Sequence, residues 1–198
     1  MPQEAQLTAD TDIAPGARAA PKPLRPKLAA SLILTRRRAS GETELLLGRR
    51  AQGHVFMPRK YVFPGGRVDR GDGFAPLASE PREDVLALMT KVLTPRRARA
   101  AAAAALRETA EETGLIVGEP RELDLQRIRP EWAAFAEAGA APAADGLDLV
   151  ARAITPPGRT RRFDAWFFQT DAERVCGSDE ICGSGELEDL RWASLEEA

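Results

Sequence analysis

Apolar and polar positions alternate in the first patterned stretch of the chain. KLAASLILT, from Lys27, reads as a β-strand and GETELLLGRR as its hairpin partner, with Ser40–Gly41 as the turn. YVFPGGRVD continues as a third strand running into a Pro–Gly–Gly loop. The period then changes. Val85, Leu86, Met89 and Leu93 recur at helical spacing, which predicts a helix over Pro81–Leu93. Thr94–Pro95 is a helix-start signal, with proline at the first helical position. It opens RRARAAAAAALRETAEET, whose six consecutive alanines, Ala100–Ala105, have the best intrinsic helix propensity. Gly114 predicts its end. LIVG returns to strand, PEWAAFAEAG from Pro130 predicts a short helix, and Ala140–Gly146 a low-complexity loop. LDLVARAIT and RRFDAWFFQT are strands on either side of Pro156–Pro157–Gly158. Leu190–Trp192 is a last strand, and SLEEA the start of a helix cut short at Ala198. Strands outnumber helices, with a long helix inserted between them, so the predicted class is α+β with a mixed sheet.

Composition narrows the setting. At 198 residues the chain has the size of one ordinary domain, assigned to 27–198. Residues 1–26 carry prolines 2, 15, 21, 23 and 26 without an apolar period, which predicts a mobile tail. Aromatics are sparse at 6%, so the core must lean on Ala, Leu, Val and Ile. Lysine and arginine total 28 against 30 acids, so no global basic field exists to hold nucleic acid, and any anion binding must be local. No apolar run approaches the roughly 18–20 residues that span a bilayer, and no leader pattern opens the chain. A soluble cytoplasmic protein without a membrane partner is expected. Cys176, Cys182 and the lone His54 supply neither a disulfide framework nor a Cys–His metal centre. No P-loop occurs, and Gly71-Asp72-Gly73 lacks the third glycine of a dinucleotide fingerprint.

The informative segment is Arg107-Glu108-Thr109-Ala110-Glu111-Glu112-Thr113-Gly114-Leu115. On a helix, Glu108, Glu111 and Glu112 fall at i, i+3 and i+4 on one narrow face. Ala103, Leu106, Ala110 and Thr113 fall on the other, to pack on the sheet. Like charges so spaced cost ~0.2–0.5 kcal/mol per pair. A hard divalent cation reverses the sign, because Mg²⁺ prefers carboxylate oxygens, waters and substrate phosphates. The competing reading is a solvated acidic face. Upstream, the Gly65–Gly66 pair lets the backbone turn tightly and approach a ligand.

Together the two segments resemble the Nudix box, G-x5-E-x7-R-E-U-x-E-E-x-G-U, with U a bulky apolar residue. The second half matches apart from Thr109 at the first U. The first half departs from it. Counting from Gly66, the glutamate position holds Asp72, and the 34 residues Gly73–Leu106 stand where the box has seven, an insertion of 27 at about 73–99. An interrupted box resembles the branch of the peroxisomal acyl-CoA diphosphatase type and its bacterial relatives. Phe56-Met57-Pro58, Ile154-Thr155-Pro156, Arg162-Phe163-Asp164 and Phe167-Phe168 are similar to that branch.

The resemblance implies a mixed sheet sandwiched between helices and hydrolysis of a diphosphate bond in a nucleoside diphosphate derivative, with Mg²⁺ or Mn²⁺. Coenzyme A or an acyl-CoA is the expected substrate. ADP-ribose or another nucleoside diphosphate sugar is the alternative, and a non-catalytic nucleotide sensor the alternative of another class. Glu111 and Glu112 are the implied metal ligands, with a Gly65 or Gly66 carbonyl. Glu108 is a further ligand or the water-activating base, and Arg107 orients a glutamate. Glu186 is the candidate later acid, with Glu180 and Glu188 as competitors. Arg159, Arg161 and Arg162 either grip phosphates, including the 3′-phosphate of coenzyme A, or are solvated, as Arg36, Arg37 and Arg38 are expected to be. Phe163, Trp132 and Trp166 either stack on adenine or belong to the core. Residues 74–94 either line a substrate channel or are decorative. Partners are a small-molecule substrate and no nucleic acid, with a homodimer left open. Glu112 is expected at the surface, so that Glu112→Gln leaves the fold intact.

Overall fold

A computed structural model describes residues 24–52 and 59–197. The tail before residue 24, His54, Phe56-Met57-Pro58 and Ala198 lie outside the described residues. Ten strands and three α-helices follow in chain order among the described residues: β1 (Lys27–Arg37), β2 (Thr43–Arg50), β3 (Tyr61–Val62), β4 (Gly65–Arg67), α1 (Glu83–Met89), α2 (Pro95–Thr113), β5 (Ile116–Pro120), α3 (Ala133–Glu137), β6 (Ala140–Pro142), β7 (Asp148–Ile154), β8 (Phe163–Asp171), β9 (Val175–Cys176) and β10 (Leu187–Ser194). The class is α+β with a mixed sheet. No helix among the described residues is long and apolar enough to cross a membrane.

The main sheet runs β10-β2-β1-β8-β7, with β1 and β8 parallel and its other pairs antiparallel. β1 and β2 pair only over Thr35–Arg37 and Thr43–Leu45. Beyond that they part, and the segment of β3 and β4 fills the gap: Tyr61 and Val62 pair with β2, and Gly65–Arg67 with Ala29–Ser31 of β1. The two glycines of the Pro–Gly–Gly segment are therefore strand, not the predicted loop, while Pro64 is a bend before them. Their neighbours supply the ladder partners that their own sequence does not reveal.

Alternation in β1 and β8 separates two faces. Leu28, Ala30, Leu32, Leu34, Trp166 and Phe168 enter the core, while Lys27, Ala29, Ser31, Phe163, Ala165 and Phe167 face a cleft. Each fully buried large side chain contributes about 1.5–3 kcal/mol. Trp132 and Trp166 are core residues, so the stacking alternative is excluded for both.

α2 begins as predicted, with Thr94 accepting from the Arg97 N–H and Pro95 in the first turn. It ends on Gly114, whose φ of 75° suits glycine. All six alanines are buried, on every side of the helix. α2 is thus enclosed between the main sheet, the small sheet β6-β5-β9 and the two short helices, rather than lying on one face. Methyl groups all round let each neighbour approach the helix axis closely.

Three further expectations change. Ala140–Pro142 is a buried strand against β5, not loop, because β5 offers it a ladder. Leu195–Glu197 forms a turn rather than a helix start. Arg36 and Arg38 are not merely solvated: they pair at 2.8 Å and 2.6 Å with Glu44, which is buried and held below the usual carboxylate range first by its hydrogen bond from Arg36.

Candidate active site

The last two turns of α2 bring Arg107, Glu108, Glu111 and Glu112 beneath β4. The Gly65 N–H donates to Glu112 Oε2 at 2.8 Å. A Cβ on Gly66 would lie 2.4 Å from Glu108 Oε2, and one on Gly65 2.4 Å from the Ala30 carbonyl. The Gly–Gly pair is thus required by two close approaches, strand on strand and strand on carboxylate. Ladder phase distinguishes the two glycines. Leu32 N–H donates to the Pro64 carbonyl and Val68 N–H to the Leu28 carbonyl, so Gly66, opposite Ala30, turns its polar groups toward β1. Gly65, opposite Ser31, turns its own away from β1, toward Glu112.

Arg107 organises the acids. Its Nε and Nη2 donate to the two oxygens of Asp72 at 2.8 Å and 3.2 Å. Nη1 donates to Glu111 at 2.9 Å, Nη2 lies 2.9 Å from Glu108, and Nη2 also meets the Arg67 carbonyl at 3.2 Å. Asp72 is fully buried and accepts further from the Asp69 N–H at 2.7 Å. The shorter acid therefore reaches Arg107 despite the 27-residue insertion, which joins α2 at its start, Pro95. Arg99 donates to the Gly73 and Ala75 carbonyls and to Glu80.

The glutamates are not equivalent. Glu112 is buried, Glu108 has only 14% of its side chain exposed and Glu111 has 45%. Expecting Glu112 at the surface is corrected: β4 covers it. Burial pushes Glu108 up to about 7, against the pull of Arg107, and Glu112 up to about 8, against the Gly65 N–H. Burial also works against the charge of Arg107, but Asp72, Glu108 and Glu111 outweigh it and raise its pKa.

These groups end a cleft of about 1210 Å³. Glu186 lines it, and its charge adds to the rise at Glu112. Glu180 and Glu188 do not line it, and Glu188 pairs with Arg49 at 3.4 Å. Arg159, Arg161, Arg162 and Phe163 line the far side. Residues 74–94 do not line it. Sequence reasoning missed Arg50, a cleft residue whose pKa is lowered by burial and raised by Glu112 and Glu186. Its signal was faint, the last polar position of an apolar strand. Also missed were Arg25 and Lys27 at the cleft rim.

Among the described residues no group of three His, Cys, Asp or Glu side chains is gathered ready to hold a metal. Glu108 and Glu111 turn toward Arg107, and Glu112 toward Gly65. The donor set nevertheless fits a hard divalent ion. It consists of carboxylate oxygens, two of them buried so that charge is disfavoured until a cation compensates it.

No family model and no curated protein matches the sequence. Among solved structures, the chain is similar to a Nudix hydrolase from Alicyclobacillus acidocaldarius, 28% identical, with 85% of this chain and 79% of that chain covered and a TM-score of 0.60. A MutT Nudix hydrolase from Burkholderia pseudomallei is 15% identical, covering 88% of each chain, with a TM-score of 0.48. The first of these carries the assignment, and it agrees with the box residues gathered at one end of the cleft. On sequence, fold and site together, the chain belongs to the Nudix hydrolase superfamily.

Proposed function

We propose that the chain hydrolyses the diphosphate of a nucleoside diphosphate derivative, with coenzyme A or an acyl-CoA as substrate and Mg²⁺ or Mn²⁺ as cofactor. One observation carries this reading: a cleft that is acidic at the α2–β4 end and basic at the β7–β8 turn, with an apolar floor between. A diphosphate needs its charge neutralised before an oxygen nucleophile can approach, and the acid end is where a cation would sit.

Glu108, Glu111 and Glu112 would hold the metal, with the Gly65 carbonyl rather than that of Gly66, which the ladder to β1 engages. The bound ion would neutralise the diphosphate and lower the pKa of water. Arg107, fixed by Asp72, keeps Glu108 and Glu111 in place. Glu186, exposed on the approach to β10, takes the proton from the attacking water. Phe163 supplies an apolar surface for the base, and the basic turn meets the phosphate that distinguishes coenzyme A.

A turnover panel with each metal tests this: coenzyme A, acyl-CoAs, ADP-ribose, NADH and dinucleoside polyphosphates. Highest kcat/KM for coenzyme A or an acyl-CoA is expected. Preference for ADP-ribose replaces the substrate, and no phosphorus-containing product from any compound defeats the reading.

A further inference from the structure

The cations at the far side of the cleft come from two segments distant in sequence. Arg159 and Arg161 lie on the turn between β7 and β8, while Arg25 and Lys27 lie just before and at the start of β1. Arg25, Lys27 and Arg161 are solvent-exposed. Arg162 joins the two segments. Its Nε donates to the Thr155 carbonyl at 2.9 Å and its Nη1 to the Leu24 carbonyl at 2.7 Å. The Lys27 N–H in turn donates to the Arg162 carbonyl at 2.9 Å. Thr155 closes the turn, donating through its N–H to the Phe163 carbonyl at 2.9 Å and accepting the Phe163 N–H on Oγ1 at 3.1 Å. A guanidinium that holds backbone carbonyls of two distant segments is a staple between them.

Position separates this rim from the acid end. Ser31 stands opposite Gly65, and Lys27 lies four residues earlier in the same strand. The rim therefore lies about 13 Å along β1 from the carboxylates, less the reach of the side chains. Small residues, Ala29 and Ala165, floor the interval beside Phe163 and Phe167. A doubly charged phosphate can accept charge-assisted hydrogen bonds from several cations on one rim at once.

We propose that Arg25 and Lys27, with Arg159 and Arg161, form a subsite for a phosphomonoester carried by the nucleoside of the substrate, and that Arg162 is the positioning residue that assembles it. The inference rests on reading the cleft as a nucleoside diphosphate site. It moves Arg162 from ligand to staple and adds two cations from the other segment.

Calorimetric titration of the full chain in Mg²⁺, with adenosine 3′,5′-bisphosphate and with AMP as probes, tests it. The bisphosphate is expected to bind about tenfold tighter or more. In the Arg25→Ala/Lys27→Ala double variant that ratio falls to about twofold, with AMP affinity unchanged. Arg162→Met collapses the ratio likewise, and Arg162→Lys restores part of it. Equal wild-type affinity for the two probes, or an unchanged ratio in the double variant, overturns the subsite. Binding is read without turnover, so the two readings fail separately. Preference for the bisphosphate without hydrolysis of any nucleoside diphosphate derivative leaves the subsite standing and removes the reaction. Equal hydrolysis of coenzyme A and 3′-dephospho-coenzyme A, with equal binding of the probes, does the reverse.

Discussion

The two ends of the cleft are built differently. At the acid end, each of the three box glutamates has a fixed partner within 3 Å: Glu112 the Gly65 N–H, Glu108 and Glu111 the guanidinium of Arg107. Arg107 is itself locked by a fully buried Asp72. At the basic rim, Arg25, Lys27 and Arg161 project into solvent, and only the backbone beneath them is stapled. Groups that stabilise a transition state must be positioned before the reaction, because reorganisation at that moment raises the barrier. Groups that recognise a flexible anion can order when it binds, at a modest entropic cost. Fixed partners for the three box glutamates at one end and exposed cations at the other follow that division, which implies kcat effects from the first and affinity effects from the second.

The largest expected effect that would break this contrast is at Glu112. Glu112→Gln keeps an oxygen for the Gly65 N–H but loses the charge, and kcat should fall by about 10³-fold with circular dichroism unchanged. A variant with wild-type turnover removes Glu112 from metal binding. Next is Gly66→Ala. The added methyl meets the Glu108 carboxylate, a side-chain end rather than backbone, so melting temperature should hold while kcat drops by about 10²-fold through misplacement of that carboxylate. Steady-state kinetics beside a thermal melt separates this from unfolding.

Asp72→Asn sharpens the role of Arg107. It withdraws the charge facing a buried guanidinium, so stability should fall by about 3–5 kcal/mol in denaturant titration. Activity should fall by about 10–100-fold as metal affinity weakens. A smaller effect concerns pH in metal-free protein. Glu108 and Glu112 have folded pKa values of about 7 and about 8 against an ordinary 4.5, so between these limits the folded state binds more protons than the unfolded. Their stabilisation is present below the ordinary value and is lost as pH rises through 7 and 8. Melts in chelator at about pH 5 and about pH 9 should show this loss, and Glu112→Gln should flatten it. The smallest effect is at Leu88, exposed on the insertion and away from the cleft. Leu88→Ser should leave kcat/KM within about twofold, since surface changes away from a site rarely matter. A larger change would bring the insertion into the reaction.

Local signals gave much of this molecule away. Thr94–Pro95 and Gly114 mark both ends of α2 because caps and breakers act within a few residues. The alternation in KLAASLILT and RRFDAWFFQT marks β1 and β8 because strand burial has period two. The spacing of Glu108, Glu111 and Glu112 makes them neighbours in any helix. Other features had no local signal. Ala140–Pro142 becomes strand only because β5 is alongside, and Gly65–Arg67 only because β1 and β2 part to admit it. Asp72 finds Arg107 across an insertion that no spacing rule anticipates.

The sequence by itself determined the carboxylate helix, its boundaries and the triplet of acids, since these depend on neighbours within one or two turns. Tertiary structure alone decided that Glu112 is covered, that Gly65 rather than Gly66 offers its backbone to the site, and that Arg25 and Lys27 stand beside Arg159 and Arg161. Those outcomes are contacts between segments far apart in the chain, and only close packing around a common core settles which such segments meet.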